Sequence, residues 1–178
     1  LASHSKSKLT TQFYQKKIHK TGDYVTNDGW ENFWLNEGFT KFAESRIMNY
    51  VRADEYQRKT GCSEEEKKIA GDKFENLAVK NGIESLKGSI RAFGENHEFT
   101  KLVPNLKGQD PDESFSSVPY IKGQLLLRTL ESIVGRDNFE AYLKIHVKTY
   151  GGITVNTDQF KKFFVEEMEK LVKDDKVK

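Results

Sequence analysis

Apolar residues in this chain recur three and four positions apart and almost nowhere at alternate positions. Trp30, Phe33 and Trp34, and then Phe39, Phe42, Ala43, Ile47, Tyr50 and Val51, recur at spacings of three and four, the period of a helix and not of a strand. The spacing predicts a helix over residues 29–52, with Asn27 and Asp28 as natural caps. Trp30 and Trp34 are expected to share its buried face.

The same period recurs downstream. Ser63 with Glu66 three residues on reads as a capping box, opening a helix over 63–80 whose apolar face is Ile69, Phe74, Leu77 and Ala78. Residues 81–116, with Gly82, Gly88, Gly94, Pro104, Gly108 and Pro111, are expected to be loop-rich with short helical pieces near 83–92. A strongly apolar helix follows over 117–134, stopped by Gly135. Another runs from Asp137 to Tyr150, burying Phe139, Tyr142, Leu143, Ile145 and Val147, and ends at Gly151-Gly152. Asn156 or Thr157 caps the last, with Phe160, Phe163, Phe164, Met168 and Leu171 inward. Period-two segments are scarce, so the fold class is mainly α, a multi-helix orthogonal bundle.

Lys plus Arg number 29 against 27 Asp plus Glu, a net charge of +2. That balance argues against nucleic acid or an anionic membrane as partner. No apolar run reaches the ~18 residues of a membrane span, and the first twenty residues lack the apolar core of a secretory signal. Lys6, Lys8, Lys16, Lys17 and Lys20 mark residues 1–20 as a basic, weakly ordered arm, with a short helix over 13–20 broken at Thr21-Gly22-Asp23. Residues 173–178 form a charged tail expected to fray. Cys62, the only cysteine, lies in a loop over 59–63. It excludes an internal disulfide and fits a reducing compartment such as the cytosol. The chain opens on Leu1 rather than Met, as a fragment or a processed product would.

Chemistry concentrates in Val25-Thr26-Asn27-Asp28-Gly29-Trp30-Glu31-Asn32-Phe33-Trp34-Leu35-Asn36-Glu37-Gly38-Phe39-Thr40. Two further strings follow in order: Phe93-Gly94-Glu95-Asn96-His97-Glu98-Phe99-Thr100-Lys101-Leu102-Val103, and Asp110 through Gly123 with Ser116-Ser117-Val118-Pro119-Tyr120 at its centre. Together they resemble the gluzincin zinc aminopeptidases, in the leukotriene A(4) hydrolase branch, over about residues 21–170. The resemblance implies that residues 21–172 are the helical lobe of a thermolysin-like metallopeptidase domain. It implies zinc as the family's metal and peptides as its substrates, cleaved at the N-terminus. It makes Glu37 the third zinc ligand and Tyr120 the donor to the oxyanion of the tetrahedral intermediate. Asp112 matches the acid of the branch's epoxide chemistry, Phe115 stands where that branch often has tyrosine, and Glu44, one helical stretch after Glu37, reads either as a neighbour of the metal's ligands or as a solvated helix glutamate. His97 has no second ligand near it in sequence and reads as structural.

The family's mechanism also needs His-Glu-x-x-His, two imidazoles one helical turn apart with a general base between. By the family's spacing those positions hold Tyr14, Gln15 and Ile18. Isoleucine binds no metal, a neutral phenol is a poor zinc ligand, and glutamine takes no proton from water. His19 is turned by about 100° from the ligand position. This chain alone is therefore expected to bind zinc weakly at most and to show little or no peptidase activity. The resemblance also places the substrate-gripping Gly-x-Met-Glu-Asn motif before this chain and a helical domain after it. A non-enzymatic interaction module on the same scaffold, or an incompletely assembled gene product, is the alternative reading.

Overall fold

The computed structural model describes residues 24–175. The basic arm, Tyr14, Gln15, Ile18 and His19 lie outside the described residues, as do Lys176 to Lys178. After a turn of 3-10 helix at Trp30–Asn32, five α-helices follow among the described residues: α1 Trp34–Thr60, α2 Glu64–Phe93, α3 Val118–Val134, α4 Arg136–Tyr150 and α5 Thr157–Asp175. Two-residue strands β1, Thr26–Asn27, and β2, Thr154–Val155, pair in parallel, Thr26 opposite Thr154 and Asn27 opposite Val155. This is the expected mainly α class.

The main core is aromatic and lies between α1, α4 and α5. Trp34, Phe42, Phe139, Tyr142, Phe160 and Phe164 are all buried there. Several of these rings meet edge-on, among them Trp34 against Phe160 at 5.3 Å and Tyr142 against Phe164 at 4.8 Å. That is the geometry the ring quadrupole favours, worth about 0.5–1.5 kcal/mol per pair beyond burial. A smaller cluster of Leu86, Val118 and Ile121 joins α2 to α3.

Several expectations need correction. Trp30 is 57% exposed while Trp34 is 1% exposed, because Trp30 falls on the 3-10 turn and the α-helix begins only at Trp34. The residue before α1 is Phe33, which makes no side-chain cap; Asn27 instead donates from its amide to the Gly29 carbonyl at 2.7 Å. The helix also runs on to Thr60, closed by Gly61 at φ 68.

The capping box at Ser63 and Glu66 is present, but α2 does not stop near residue 80: it continues through Gly82 and Gly88 to Phe93. Ile69 and Leu77 are 45% and 57% exposed. The face that α2 buries carries Gly71, Glu75 and Leu86. Glu75 accepts from Asn49 Nδ2 at 2.9 Å and from Arg46 at 3.3 Å, and is bonded by Arg128. Arg46 also pairs with Glu131. A Cβ at Gly71 would collide with Asn49 Oδ1. The ionic cluster, not the apolar stripe, decides which way α2 turns. On α3, Ile133 is 73% exposed. Asn156 caps α5, its Oδ1 accepting from Gln159 N at 2.9 Å, and α5 holds its helix to Asp175 where fraying was expected.

His146 sits in the aromatic core at 3% exposure. It lies flat on Phe39 at 5.1 Å and its Nδ1 is 3.2 Å from the Tyr142 hydroxyl. Tyr150, Phe160 and Phe163 complete its surroundings. Burial lowers its pKa from 6.5 to about 4. The folded state refuses a proton that the unfolded chain takes below about pH 6.5, so this contribution to stability is full above that pH and is lost as the pH falls to about 4. The loss amounts to about 2–3 kcal/mol. Urea titrations at pH 7 and pH 4 are expected to show a larger drop for the native sequence than for His146→Phe. Equal drops would remove His146 from the account.

Candidate active site

The first turn of α1 is held from three sides. Asn27 N donates to Asn36 Oδ1 at 2.8 Å, and Glu31 accepts from Leu106 N at 3.0 Å. The first residue of α5 is bound twice, Thr157 N and Oγ1 both donating to Asn32 Oδ1, at 2.9 and 2.7 Å. Trp34 Nε1 in turn donates to Thr157 Oγ1 at 2.9 Å. Every backbone N–H at the start of a helix lacks a partner within the helix, and here one of them fixes the approach to Glu37.

Glu37 lies in that first turn, half-buried. Its neighbour Gly38 lies against Gly123 of α3 so closely that a Cβ on either glycine would stand 2.7 Å from the other's Cα. Only residues without side chains permit that approach. Tyr120 is three residues before Gly123, on the first turn of α3, with Pro119 in that same turn. The glycine contact therefore brings Glu37 and Tyr120, 83 positions apart along the chain, into electrostatic reach of each other. Burial first, and then the negative charge of Glu37, raise the Tyr120 phenol above its ordinary pKa. It is a protonated hydrogen-bond donor at neutral pH.

Tyr120 stands in an aromatic wall. Phe33 meets it edge-on at 6.1 Å and Phe115 at 6.2 Å. Beyond them is a cleft lined by Trp30, Phe33, Phe115, Pro119 and Asp112. Asp112 is exposed, on the 3-10 turn Pro111–Ser114 whose first N–H groups are capped by Asp110. Phe115 thus joins Tyr120 to the cleft that Asp112 lines. Glu44 pairs with Lys41 at 2.7 Å on the surface of α1. His97 caps the turn Glu98–Thr100, its Nδ1 accepting from Phe99 N at 3.2 Å, and it packs between Phe93 and Phe99. Cys62 is a free, half-buried thiol in the loop after α1. Among the described residues no three His, Cys, Asp or Glu side chains cluster as a metal's ligands would.

Sequence reasoning missed Gly38, Gly123, Asn32 and Thr157. The two glycines carried a usable signal, since a glycine inside a strongly periodic helix usually marks a close packing contact. Thr157 was legible only as a possible helix cap, and its pairing with Asn32 carried no signal, because it exists only once α5 has docked.

A helical lobe with its acid and phenol joined across a glycine contact has the architecture of a thermolysin-like metallopeptidase. Its fold matches native leukotriene A4 hydrolase from Saccharomyces cerevisiae with a TM-score of 0.73 at 30% identity, covering 88% of this chain and 22% of that one. The yeast enzyme in complex with bestatin matches with a TM-score of 0.72 at 30% identity, over 88% of this chain and 23% of that one. The family model for the peptidase family M1 domain matches residues 17–176, and the chain belongs to that family. Leucine aminopeptidase 2 of Emericella nidulans is 36% identical over 141 residues, 79% of this chain. The same enzyme of Neosartorya fischeri is 37% identical over 141 residues, again 79% of this chain. The chain spans 20% of the length of each of these relatives.

Proposed function

We propose that this chain is the helical lobe of a zinc aminopeptidase catalytic domain, that Glu37 and Tyr120 are its share of the catalytic machinery, and that by itself it turns over little or no peptide. The observation that carries this reading is the Gly38–Gly123 contact, which holds the carboxylate and the phenol within electrostatic reach of each other. The phenol keeps its proton there, so it can donate to an oxygen on which negative charge develops. Phe33 and Phe115 pack edge-on against its ring and hold it in place. Glu37 supplies one carboxylate oxygen donor. In the family, zinc polarises the scissile carbonyl and activates water. One carboxylate, with Tyr14 and Ile18 at the other two ligand positions, does not fit a tetrahedral nitrogen and oxygen site. Gln15 supplies no base, and such a loss alone costs about 10²–10⁴ in rate. The substrate class is a peptide with a free N-terminus. The lone Cys62 favours a cytosolic setting.

Metal analysis of the purified chain after incubation with zinc, together with hydrolysis of a leucine-derived fluorogenic amide, tests the proposal. The expected result is well under one zinc per chain and no turnover above a boiled control. Stoichiometric zinc with turnover lost on chelation would overturn it.

A further inference from the structure

Thr157 opens α5 and is half-buried. Its hydroxyl stands between two obligate partners. Trp34 is 1% exposed, and a buried indole N–H has to find an acceptor. It finds Thr157 Oγ1 at 2.9 Å. The hydroxyl's own proton goes to Asn32 Oδ1 at 2.7 Å. An indole only donates and an amide oxygen only accepts, so the hydroxyl is turned one way, with a lone pair kept for Trp34. The backbone N–H of Thr157 reaches the same Asn32 oxygen at 2.9 Å. Residue 157 is thereby held in place even without a hydroxyl.

The same indole ring also faces α3. A Cβ on Gly123 would stand 3.3 Å from Trp34 Cε3 and 3.3 Å from the Trp34 carbonyl oxygen, as well as 2.7 Å from Gly38 Cα. Trp34 and Gly38 thus share the bare backbone of Gly123. Phe160, one turn into α5, meets the ring edge-on at 5.3 Å, and Phe39 stacks on it at 6.4 Å. The indole is a rigid plane in a packed core. A turn that carries Nε1 away from Thr157 moves Cε3 against Gly123 as well, and a close-packed interior transmits that shift. The helices then part at Gly38, and Glu37 and Tyr120 ride on those turns of α1 and α3.

We infer that Thr157 is a positioning residue for the Glu37–Tyr120 pair: its hydroxyl fixes the Trp34 ring, and the ring sets how closely α1 and α3 meet. Among the described residues α5 lends no side chain to the cleft beside Tyr120, yet it governs the spacing of acid and phenol from behind. The inference rests on the reading of Glu37 and Tyr120 as catalytic machinery.

The test is NMR of the full chain with two readouts, the Overhauser cross-peak between the α-protons of Gly38 and Gly123 and the exchange rate of the Trp34 indole N–H. Trp30→Phe assigns the two indole signals. Thr157→Val keeps the shape and the backbone N–H but removes the hydroxyl. It is expected to lose most of the cross-peak and to speed indole exchange roughly tenfold, since that hydrogen bond is gone. Thr157→Ser, which keeps the hydroxyl, should restore both. The contact between Phe42 and Phe139, in the same core at 5.5 Å, should persist in every variant. A native cross-peak in Thr157→Val overturns the inference. So does equal loss in Thr157→Ser, or loss of the Phe42–Phe139 contact alongside, because the core has then loosened as a whole. If Thr157→Val does not fold, Asn32→Ala tests the same link at a half-exposed position: a weakened cross-peak is expected, and native intensity overturns the inference. Neither readout involves zinc or turnover. A working zinc site would therefore sink the proposed inactivity and leave the positioning role standing, while an unmoved cross-peak would do the reverse.

Discussion

Replacing Glu75 with alanine is expected to cost the fold about 3–5 kcal/mol, the range for removing one partner of a buried ion pair. The Glu75 side chain is 3% exposed and holds two arginines, with side chains 19% and 26% exposed, from α1 and α3. Its removal leaves both guanidinium groups half-desolvated with one counter-charge, Glu131, shared through Arg46, and orphans the Asn49 amide. The cost is uncompensated desolvation rather than lost attraction. A natural domain has only about 5–15 kcal/mol to lose, so this change takes a large share. Urea unfolding followed by circular dichroism should show the midpoint falling with little change in slope. Glu75→Gln, which keeps an acceptor but not the charge, should fall between. A loss under about 1 kcal/mol for the alanine variant would mean that water solvates the cluster and that it does not lock the three helices.

Gly38→Val is expected to destabilise by about 3 kcal/mol, the upper part of the range for overpacking. The atoms in the way are Gly123 Cα at 2.7 Å and its carbonyl carbon at 3.0 Å. These are backbone, which no rotamer change can move aside. The helices must separate, and Glu37 and Tyr120 separate with them. Since the charge of Glu37 helps raise the Tyr120 phenol, the variant should also shift one tyrosine titration toward lower pH. Ultraviolet titration of ionising tyrosines reads this directly, with Tyr120→Phe to assign the step. Unchanged stability and an unchanged titration would remove the glycine contact from its role as spacer.

What could be read in advance followed the range of the interaction responsible. Caps and stops are local, and Ser63, Gly135 and Gly151 were legible from their neighbours alone. The strings around Glu37 and Tyr120 identified the family and pointed to both residues of the candidate site. The burial of α2 was not legible, because a hydropathy stripe through Ile69 and Leu77 competes with one charged residue, Glu75, whose partners come from two other helices. Trp30 misled for a similar reason. Its spacing matches the helix, yet the chain there turns as 3-10 and the ring faces the cleft. His146 is an ordinary polar letter in sequence. Only the ring stack on Phe39 and the Tyr142 hydroxyl make it a core residue.

The short pairing of β1 with β2 has a mechanical consequence. Its strands run the same way, one near the start of the described chain and the other just ahead of the last helix. Tension applied to the two termini drags them in opposite directions along their length. The bonds from Thr26 N to Ile153 O, Asp28 N to Val155 O and Gly152 N to Tyr24 O then bear the load together, in shear, instead of parting singly like a zip. A few residues of sheet in an otherwise helical body thus act as a buckle, which shields the cleft from stress arriving along the chain.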